Sequence, residues 1–153
     1  MKISRVRIVF LMLISLSLVM LAASVQAAPP VGQWNIVYYA DDGGLSPVIT
    51  DAICFEGGPS KGTWYSPTFA GWGGSWWRKG GSSDVIMFDG NWNSGAGNTA
   101  AKVDLISLSL MAGSLMEWFD DTASNWYQVR LNKQKTVCDP PAVGMSATTH
   151  RRN

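Results

Sequence analysis

Apolar and polar residues alternate along most of the chain after residue 28, in short runs separated by Gly, Asp, Asn, Ser and Pro. A period of two is typical of β-strands that bury one face, and the residues between the runs are those that favour turns. The pattern therefore predicts an all-β domain. The eight runs that we assign to strands are Gln33–Ala40, Thr50–Glu56, Gly62–Ser66, Gly74–Lys79, Asp84–Trp92, Thr99–Ser107, Ser114–Asp120 and Asn125–Lys133.

One stretch admits a second interpretation. The apolar positions of Ala101–Met116 would also suit a single helix, and Gly113 is the main residue that argues against it. We interpret the stretch as strand, turn and strand. Eight short strands with short connections predict an antiparallel up-and-down sheet, and closing it into a barrel removes both exposed edges. The interior of such a barrel is just filled by side chains or holds one small ligand.

Alternation also assigns faces to the strands. Cys54 falls on the outer wall. In the fourth strand, Trp76 shares one face with Arg78 and Trp77 shares the other face with Lys79. Alternation does not decide which of these two faces points inward. An outward Glu117 is the ordinary arrangement, and an inward one would be a candidate acid, base or ligand anchor. The residues predicted to face the interior are Trp34, Ile36, Tyr38, Ile53, Phe55, Ile86, Phe88, Trp92, Ala101, Val103, Leu105, Tyr127, Val129 and Leu131.

A Gly-x-Trp pattern recurs at Gly32–Trp34, Gly62–Trp64, Gly74–Trp76 and Gly90–Trp92. The first, followed by Asn35–Tyr38, resembles the start of a lipocalin, and Gly62–Ser66 (Gly-Thr-Trp-Tyr-Ser) resembles the avidin family. Both families belong to the calycin-type eight-stranded meander barrels. The resemblance implies a barrel with one open end and a cavity for a small molecule, and a disulfide that tethers the C-terminal segment to the wall. Avidin's biotin-contacting polar residues are not matched, so biotin is not inferred.

The first 27 residues have the three parts of a secretory signal peptide. Lys2, Arg5 and Arg7 precede the apolar run Ile8–Ala23, and Val25–Ala27 places small residues at a cleavage site. An uncleaved membrane anchor is disfavoured because the cleavage residues follow at once, and no later segment has the length of apolar sequence that a spanning helix needs. We expect an exported protein of bacterial type, periplasmic or extracellular, with no membrane span in its mature chain.

The length of 153 residues allows one domain, which we divide into a signal peptide (1–27), a barrel (28–138) and a loose tail (139–153). Without the signal peptide, nine basic residues stand against eleven acidic ones, which argues against a nucleic-acid binder. Eight Trp, five Phe and four Tyr provide enough apolar surface to exclude disorder. In an oxidising compartment, Cys54 and Cys138 should form one disulfide.

Catalytic motifs are absent from the sequence. There is no GxSxG, HExxH or phosphate-binding loop, and the only histidine, His150, lies in the tail. This removes Ser-His-Asp and Cys-His chemistry and most zinc sites, so we expect no enzyme, no metal and no cofactor. The aromatic residues and their neighbouring cation are the candidate ligand contacts, although any single Trp is more often core than contact. These candidates are Trp64, Tyr65, Trp72, Trp76, Trp77, Arg78, Trp92, Trp118 and Trp126.

Three functions remain open at this stage. The first is a secreted binding protein that holds a small hydrophobic or aromatic ligand, or a sugar, at the open end of the barrel. The second is a secreted inhibitor or interaction protein with a filled barrel and a protein target. The third is a small barrel enzyme, which would need an inward Glu117 or Asp with a raised pKa. For the binding protein we expect the Trp72–Trp77 segment to form part of the barrel's rim.

Overall fold

The computed structural model describes residues 28–44, 46–81, 83–92, 96–119 and 124–142. The predicted signal peptide and the tail after residue 142 lie outside these ranges. Among the described residues, the only helical element is one 3-10 turn at Lys79–Gly81, and no helix is long or apolar enough to cross a membrane. The strands are β1 Gly32–Ala40, β2 Pro47–Gly57, β3 Lys61–Tyr65, β4 Gly73–Arg78, β5 Val85–Trp92, β6 Gly97–Ser107, β7 Leu110–Trp118 and β8 Ser124–Lys135.

Each strand pairs antiparallel with the next, and β8 pairs with β1, so the sheet closes into a single barrel. The predicted all-β up-and-down barrel is confirmed. So is the two-strand interpretation of Ala101–Met116, although the turn falls at residues 108–109 and β7 begins earlier than expected. Gly113 lies inside β7, where an added Cβ would stand 2.1 Å from the carbonyl oxygen of Lys102. A barrel without free strand edges follows from this pairing.

Eleven of the fourteen residues predicted to face inward are buried, and Trp92, Leu105 and Tyr127 are half-buried. The alternation left open in β4 is resolved, because Trp76 and Arg78 point inward and are buried whereas Trp77 points outward. The apolar core residues are Trp34, Ile36, Tyr38, Ile53, Phe55, Trp64, Trp76, Ile86, Phe88, Ala101, Val103, Met111, Leu115, Val129 and Leu131. Edge-to-face contacts join Phe55 to Trp76 and to Phe88, with ring centroids 6.3 and 5.6 Å apart. These large rings pack against one another in the interior of the barrel.

The recurring Gly-x-Trp pattern has a packing explanation in β3 and β4. Register places Gly62 opposite Trp76 and Trp64 opposite Gly74, so each indole meets a residue without a side chain on the neighbouring strand. A Cβ on Gly62 would lie 2.6 Å from the Trp76 indole nitrogen, which donates a hydrogen bond to the Glu56 carbonyl oxygen. Glycine is required there because the ring crosses directly over the backbone.

One end of the barrel, where β2, β4 and β6 finish, is sealed by a buried arginine. We call it the closed end. The guanidinium of Arg78 donates to the carbonyl oxygens of Pro59 at 2.9 Å, Ser83 at 2.7 Å and Ala28, and lies 3.8 Å from an Asp84 carboxylate oxygen. Five fixed donors allow one arginine to join three separate chain segments. Arg78 therefore has a structural role at this end.

The segment before β1 completes the seal. The indole nitrogen of Trp34 donates to the Pro30 carbonyl oxygen at 2.6 Å, and Trp34 is fully buried. The ammonium of Lys133 lies 5.4 Å from the centre of the Trp34 ring, within the range of a cation–π contact. Burial lowers the pKa of Lys133. Any path to the interior must then begin at the opposite end of the barrel.

The predicted disulfide is present and ties the C-terminal segment to the outer wall. Cys54 is bonded to Cys138, with the two Cα atoms 5.8 Å apart. Beyond the bridge, the Asp139 backbone nitrogen donates to the Gln33 side-chain oxygen at 2.8 Å, and the Tyr65 hydroxyl donates to the Asp139 carbonyl oxygen at 2.9 Å. The segment covers Cys54 and Gln33, which explains why two residues on the outer face are buried.

Candidate functional site

A pocket opens at the end of the barrel where β1, β3, β5 and β7 finish, which we call the mouth. The space in it that the centre of a water molecule can reach is about 10 Å³, which is room for about one water and well below the usual range for small-molecule sites. Its lining includes Ile36, Ile53 and Phe88, which also belong to the packed core of the barrel. The residues of this mouth pocket are Ile36, Tyr38, Asp51, Ile53, Trp64, Trp72, Phe88, Trp92, Thr99, Leu115 and Glu117.

Four aromatic rings form a continuous row beside the mouth, here called the aromatic rim: Phe69, Trp72, Trp92 and Phe119. Successive ring centroids are 5.0, 5.7 and 4.2 Å apart. The two central tryptophans are half-buried and line the pocket, while the outer phenylalanines are 40% and 42% exposed. A partly exposed row of rings offers π faces to a flat or apolar ligand.

Ser66 holds the β3–β4 loop that carries Trp72 to the mouth. Its backbone nitrogen donates to the Trp72 carbonyl oxygen at 3.0 Å. Its hydroxyl oxygen accepts from the backbone nitrogens of Thr68 at 3.0 Å and Phe69 at 2.9 Å, and the hydroxyl donates to Asp51 at 3.2 Å. Ser66 is fully buried, so these bonds are shielded from water. The loop is thereby held in one conformation over the pocket.

Asp51 is an inward carboxylate with partners of its own. Oδ1 accepts from the Ala52 backbone nitrogen at 2.6 Å and from the Ser66 hydroxyl at 3.2 Å. Burial raises the pKa of Asp51, and the hydrogen bonds from Ala52, Ser66 and Thr68 act in the opposite direction. These partners connect the carboxylate to the loop that carries the aromatic rim.

Glu117 is the second inward carboxylate, and it has no such partners. Its side chain lines the pocket and is 8% exposed, and among the described residues it makes no hydrogen bond or ion pair. Burial raises the pKa of Glu117. Burial raises the pKa of Tyr38 and of Tyr127, and the negative charge of Glu117 raises both further; the two rings are in edge-to-face contact with centroids 5.5 Å apart. The pocket thus contains a largely buried acid, whose oxygens still reach solvent, beside the hydroxyl of Tyr38.

The lining as a whole combines aromatic walls with acidic and hydroxyl groups. It includes no Lys, Arg or His, so neither carboxylate is paired with a cation there. Tyr38 and Thr99 add hydroxyls, and that of Thr99 donates to the Met116 carbonyl oxygen at 3.3 Å. The arrangement can accept hydrogen bonds from a ligand and stack against its rings.

Three of the predicted contact residues meet in this pocket, namely Trp64, Trp72 and Trp92. The other six lie elsewhere. Tyr65 faces the outer wall under the C-terminal segment, Trp76 belongs to the core, and Arg78 lies at the closed end. Trp77, Trp118 and Trp126 occupy outward positions of β4, β7 and β8, and Trp126 is 53% exposed. Of the Trp72–Trp77 segment, only Trp72 belongs to the rim.

The polar residues of the pocket were missed or left undecided by the sequence patterns. Asp51 has the same parity as Ile53 and Phe55 in β2, and Glu117 has the same parity as Leu115 in β7. Extending the alternation by one position in each strand would have placed both carboxylates inside. Ser66 carried no such signal, because its role depends on a loop conformation.

One trio of metal-ligand-type side chains converges among the described residues. Atoms of Cys54, Glu56 and Cys138 lie within 4.8 Å of one another, but the two sulfurs are bonded to each other and provide no thiolate. No protein-family model, curated protein or solved structure matches the chain. The functional interpretation therefore rests on the geometry of the mouth pocket.

Proposed function

We propose that this protein is an exported, calycin-type binding protein that holds a small hydrophobic or aromatic ligand, or a sugar, in the mouth pocket. The observation that carries the proposal is the pocket itself: tryptophan walls around two inward carboxylates. A barrel half that served only for packing would bury apolar side chains there, because a buried acid is costly. Clefts that combine apolar walls with a few convergent polar groups are the usual form of small-molecule sites.

Export is part of the proposal. The signal-peptide pattern of residues 1–27 and the Cys54–Cys138 disulfide both agree with an oxidising compartment outside the cytoplasm. The calycin relationship is supported by the eight-stranded meander barrel with one closed end and one mouth. It is also supported by the Gly-x-Trp pattern at the start of β1 and by the disulfide from the C-terminal segment to the wall.

The volume of the pocket favours binding over cleavage. A pocket whose water-accessible space is about 10 Å³ does not admit a polymer, so a ligand's ring must lie across the mouth against the aromatic rim. A glycosidase-like pair of carboxyl groups would need a cleft that admits the bond to be cut between them. We therefore propose a binding protein and not an enzyme, although the inward Glu117 has the raised pKa that an acid catalyst would need.

A protein partner is the second candidate, and the exposed ends of the aromatic rim favour it. Phe69 and Phe119 present apolar surface at the same end of the barrel, where Val48 is also 55% exposed. Exposed apolar side chains at one end of a protein can mark a site for a partner. Replacing Val48, which lies outside the pocket lining, by serine should weaken binding to a protein target measured in a pull-down assay and leave binding of a small ligand unchanged.

Native mass spectrometry of protein purified from its own source tests the small-ligand proposal. We expect a retained small molecule that is lost from Trp72→Ala and kept by Trp126→Ala, the matched control on the outer face. The physical reason is that Trp72 lines the pocket while Trp126 does not. If the wild-type protein carries no small molecule, and no aromatic or sugar compound binds it more tightly than about 1 mM, the proposal is wrong.

A further inference from the structure

We infer that the closed end of the barrel docks on the surface of an anionic lipid bilayer through the tip of the β6–β7 hairpin. The inference does not depend on the mouth pocket, which lies at the opposite end. At this tip Ile106 is 61% and Leu108 is 68% exposed. Leu105 and Leu110 beside them are half-buried, so four aliphatic side chains fall within six residues of one hairpin. Single apolar residues are normal on a surface, whereas a group of them marks a site of contact.

Neither turn chemistry nor core packing explains the leucine at this tip. Only Leu108 and Ser109 connect β6 to β7, because Ser107 pairs with Leu110. Two-residue hairpin turns favour Gly, Asn and Asp, and each of the other six connections between strands contains Gly or Asp. Leu108 is too exposed to belong to the core. Its apolar surface is therefore available to a partner outside the chain.

The polar groups of the tip favour lipid as that partner. The Ser109 backbone nitrogen donates to the Ser107 hydroxyl oxygen at 3.3 Å, and the hydroxyl oxygens of these two serines lie 3.4 Å apart. The Ser109 carbonyl oxygen accepts from the Lys133 backbone nitrogen at 3.0 Å. A segment that enters the boundary between headgroups and acyl chains must leave few polar groups without partners. The hairpin meets this requirement with its own hydrogen bonds.

The charges of the barrel are distributed so that the closed end faces an anionic surface. Among the described residues, no Lys or Arg lies at the mouth, which has four acids. The closed end has five of the seven described cations against four acids, and two of these acids lie beside Arg78 and Lys135. An anionic bilayer therefore repels the mouth and attracts the exposed lysines of the closed end. The mouth acids are Asp41, Asp42, Asp51 and Glu117; the closed-end cations are Lys61, Arg78, Lys79, Lys133 and Lys135, and its acids are Glu56, Asp84, Asp104 and Asp139.

The chain also enters the barrel at the closed end. The Ala28 carbonyl oxygen accepts a hydrogen bond from the Arg78 guanidinium, and the Pro30 carbonyl oxygen accepts one from the Trp34 indole. The predicted signal peptide ends at Ala27. A chain whose signal peptide is still held in a membrane therefore has its closed end nearest the bilayer. Cleavage after Ala27 leaves a positively charged α-amino group at this same end.

Vesicle flotation on the full chain purified from the exported fraction tests the docking. The probes are vesicles of phosphatidylcholine mixed two to one with phosphatidylglycerol, and vesicles of phosphatidylcholine alone. We expect the wild-type protein to float with the anionic vesicles and to partition at least about fivefold more weakly into the neutral ones, because each lysine near an anionic surface adds to the attraction. Raising the salt to about 0.5 M should remove most of this difference. A wild-type protein that does not float with the anionic vesicles overturns the inference.

The double variant Ile106→Ser, Leu108→Ser tests the hairpin, with Val48→Ser as the matched control. Val48 is 55% exposed and lies at the mouth, at the start of β2. Partitioning into anionic vesicles should fall at least about tenfold in the double variant, because two aliphatic side chains no longer enter the lipid, and stay unchanged in Val48→Ser. Lys79→Gln, at an exposed position, should weaken partitioning about two- to fivefold into the anionic vesicles only.

These variants also separate the bilayer from other partners of the hairpin. The substituted side chains are exposed, so circular dichroism should show the same thermal unfolding as for the wild-type protein. A double variant that partitions like the wild-type protein overturns the inference. So does a wild-type protein that stays off the vesicles but self-associates through Leu108 in sedimentation velocity, because the tip is then an interface between copies. Any small molecule that native mass spectrometry finds on the wild-type protein should be kept by all three variants, so the proposed function stands or falls separately.

Discussion

Replacing Glu117 by methionine should make the protein more stable. Methionine has a similar length and suits irregular apolar surroundings. Glu117 is 8% exposed, and its carboxylate has no hydrogen-bond partner among the described residues, so contact with solvent is all that offsets its burial. A buried polar group without a partner costs about 1–3 kcal/mol, and a charged one costs more. We expect the free energy of unfolding to rise by roughly 1–3 kcal/mol at pH 8, which corresponds to a Tm increase of about 4–12 °C for a domain of this size.

The increase in the free energy of unfolding caused by Glu117→Met should be larger at high pH than at low pH. Near pH 4, below the ordinary value of 4.5, Glu117 is mostly protonated in both the folded and the unfolded chain, so its charge adds little to the difference. As the pH rises, the unfolded chain releases this proton first, because burial raises the pKa of Glu117 in the folded protein. The folded protein then binds more protons, so the wild-type protein loses stability with rising pH until Glu117 ionises in the folded state too. The Glu117→Met variant has no carboxyl group at this position, so its free energy of unfolding does not fall with pH for this reason.

Urea unfolding followed by circular dichroism at pH 4, 6 and 8 measures the difference directly. Asp51, whose pKa is shifted in the same direction, is present in both proteins, so its contribution largely cancels. Glu56→Met is the control; it removes an exposed glutamate whose hydrogen bond from Tyr65 is 3.2 Å long, and it should change stability by no more than about 0.5–1 kcal/mol. A Glu117→Met variant that is less stable at pH 8, or equally stabilised at pH 4 and pH 8, would refute the reasoning.

Three further predictions concern the rest of the barrel. Cys138→Ser should lower the free energy of unfolding by about 4–5 kcal/mol, because the bridge closes a loop of 84 residues; thiol titration of unfolded, unreduced protein should find no free cysteine. Arg78→Lys should cost about 2–4 kcal/mol in urea unfolding, since an ammonium cannot hold three carbonyl oxygens in the same geometry, and an unchanged stability would contradict the sealing role. In acrylamide quenching of Trp→Phe variants, removing Trp77 should delete quenchable fluorescence and removing Trp76 should not, because only the first is exposed.

Much of the barrel was determined by the local sequence. A side-chain period of two, broken by turn-forming residues, assigns both the strands and their faces without any knowledge of pairing partners. That is why the inward positions of β1, β5 and β8 agree with the buried residues of the structure. The disulfide could be predicted for a similar reason, because the sequence has only two cysteines and each can pair within the chain only with the other.

The chemistry at the mouth was decided by tertiary structure. Alternation says that a residue faces inward, but not how high it lies in the barrel or which residues it meets. For this reason Arg78 and Trp76 were grouped with Trp72, although closure of the sheet places them toward the opposite end. Asp51 and Glu117 are 66 positions apart in the chain, and only the circular order of the strands brings both of them into one pocket with Tyr38. Long-range contacts of this kind leave no periodic trace in a sequence, because they depend on register and closure.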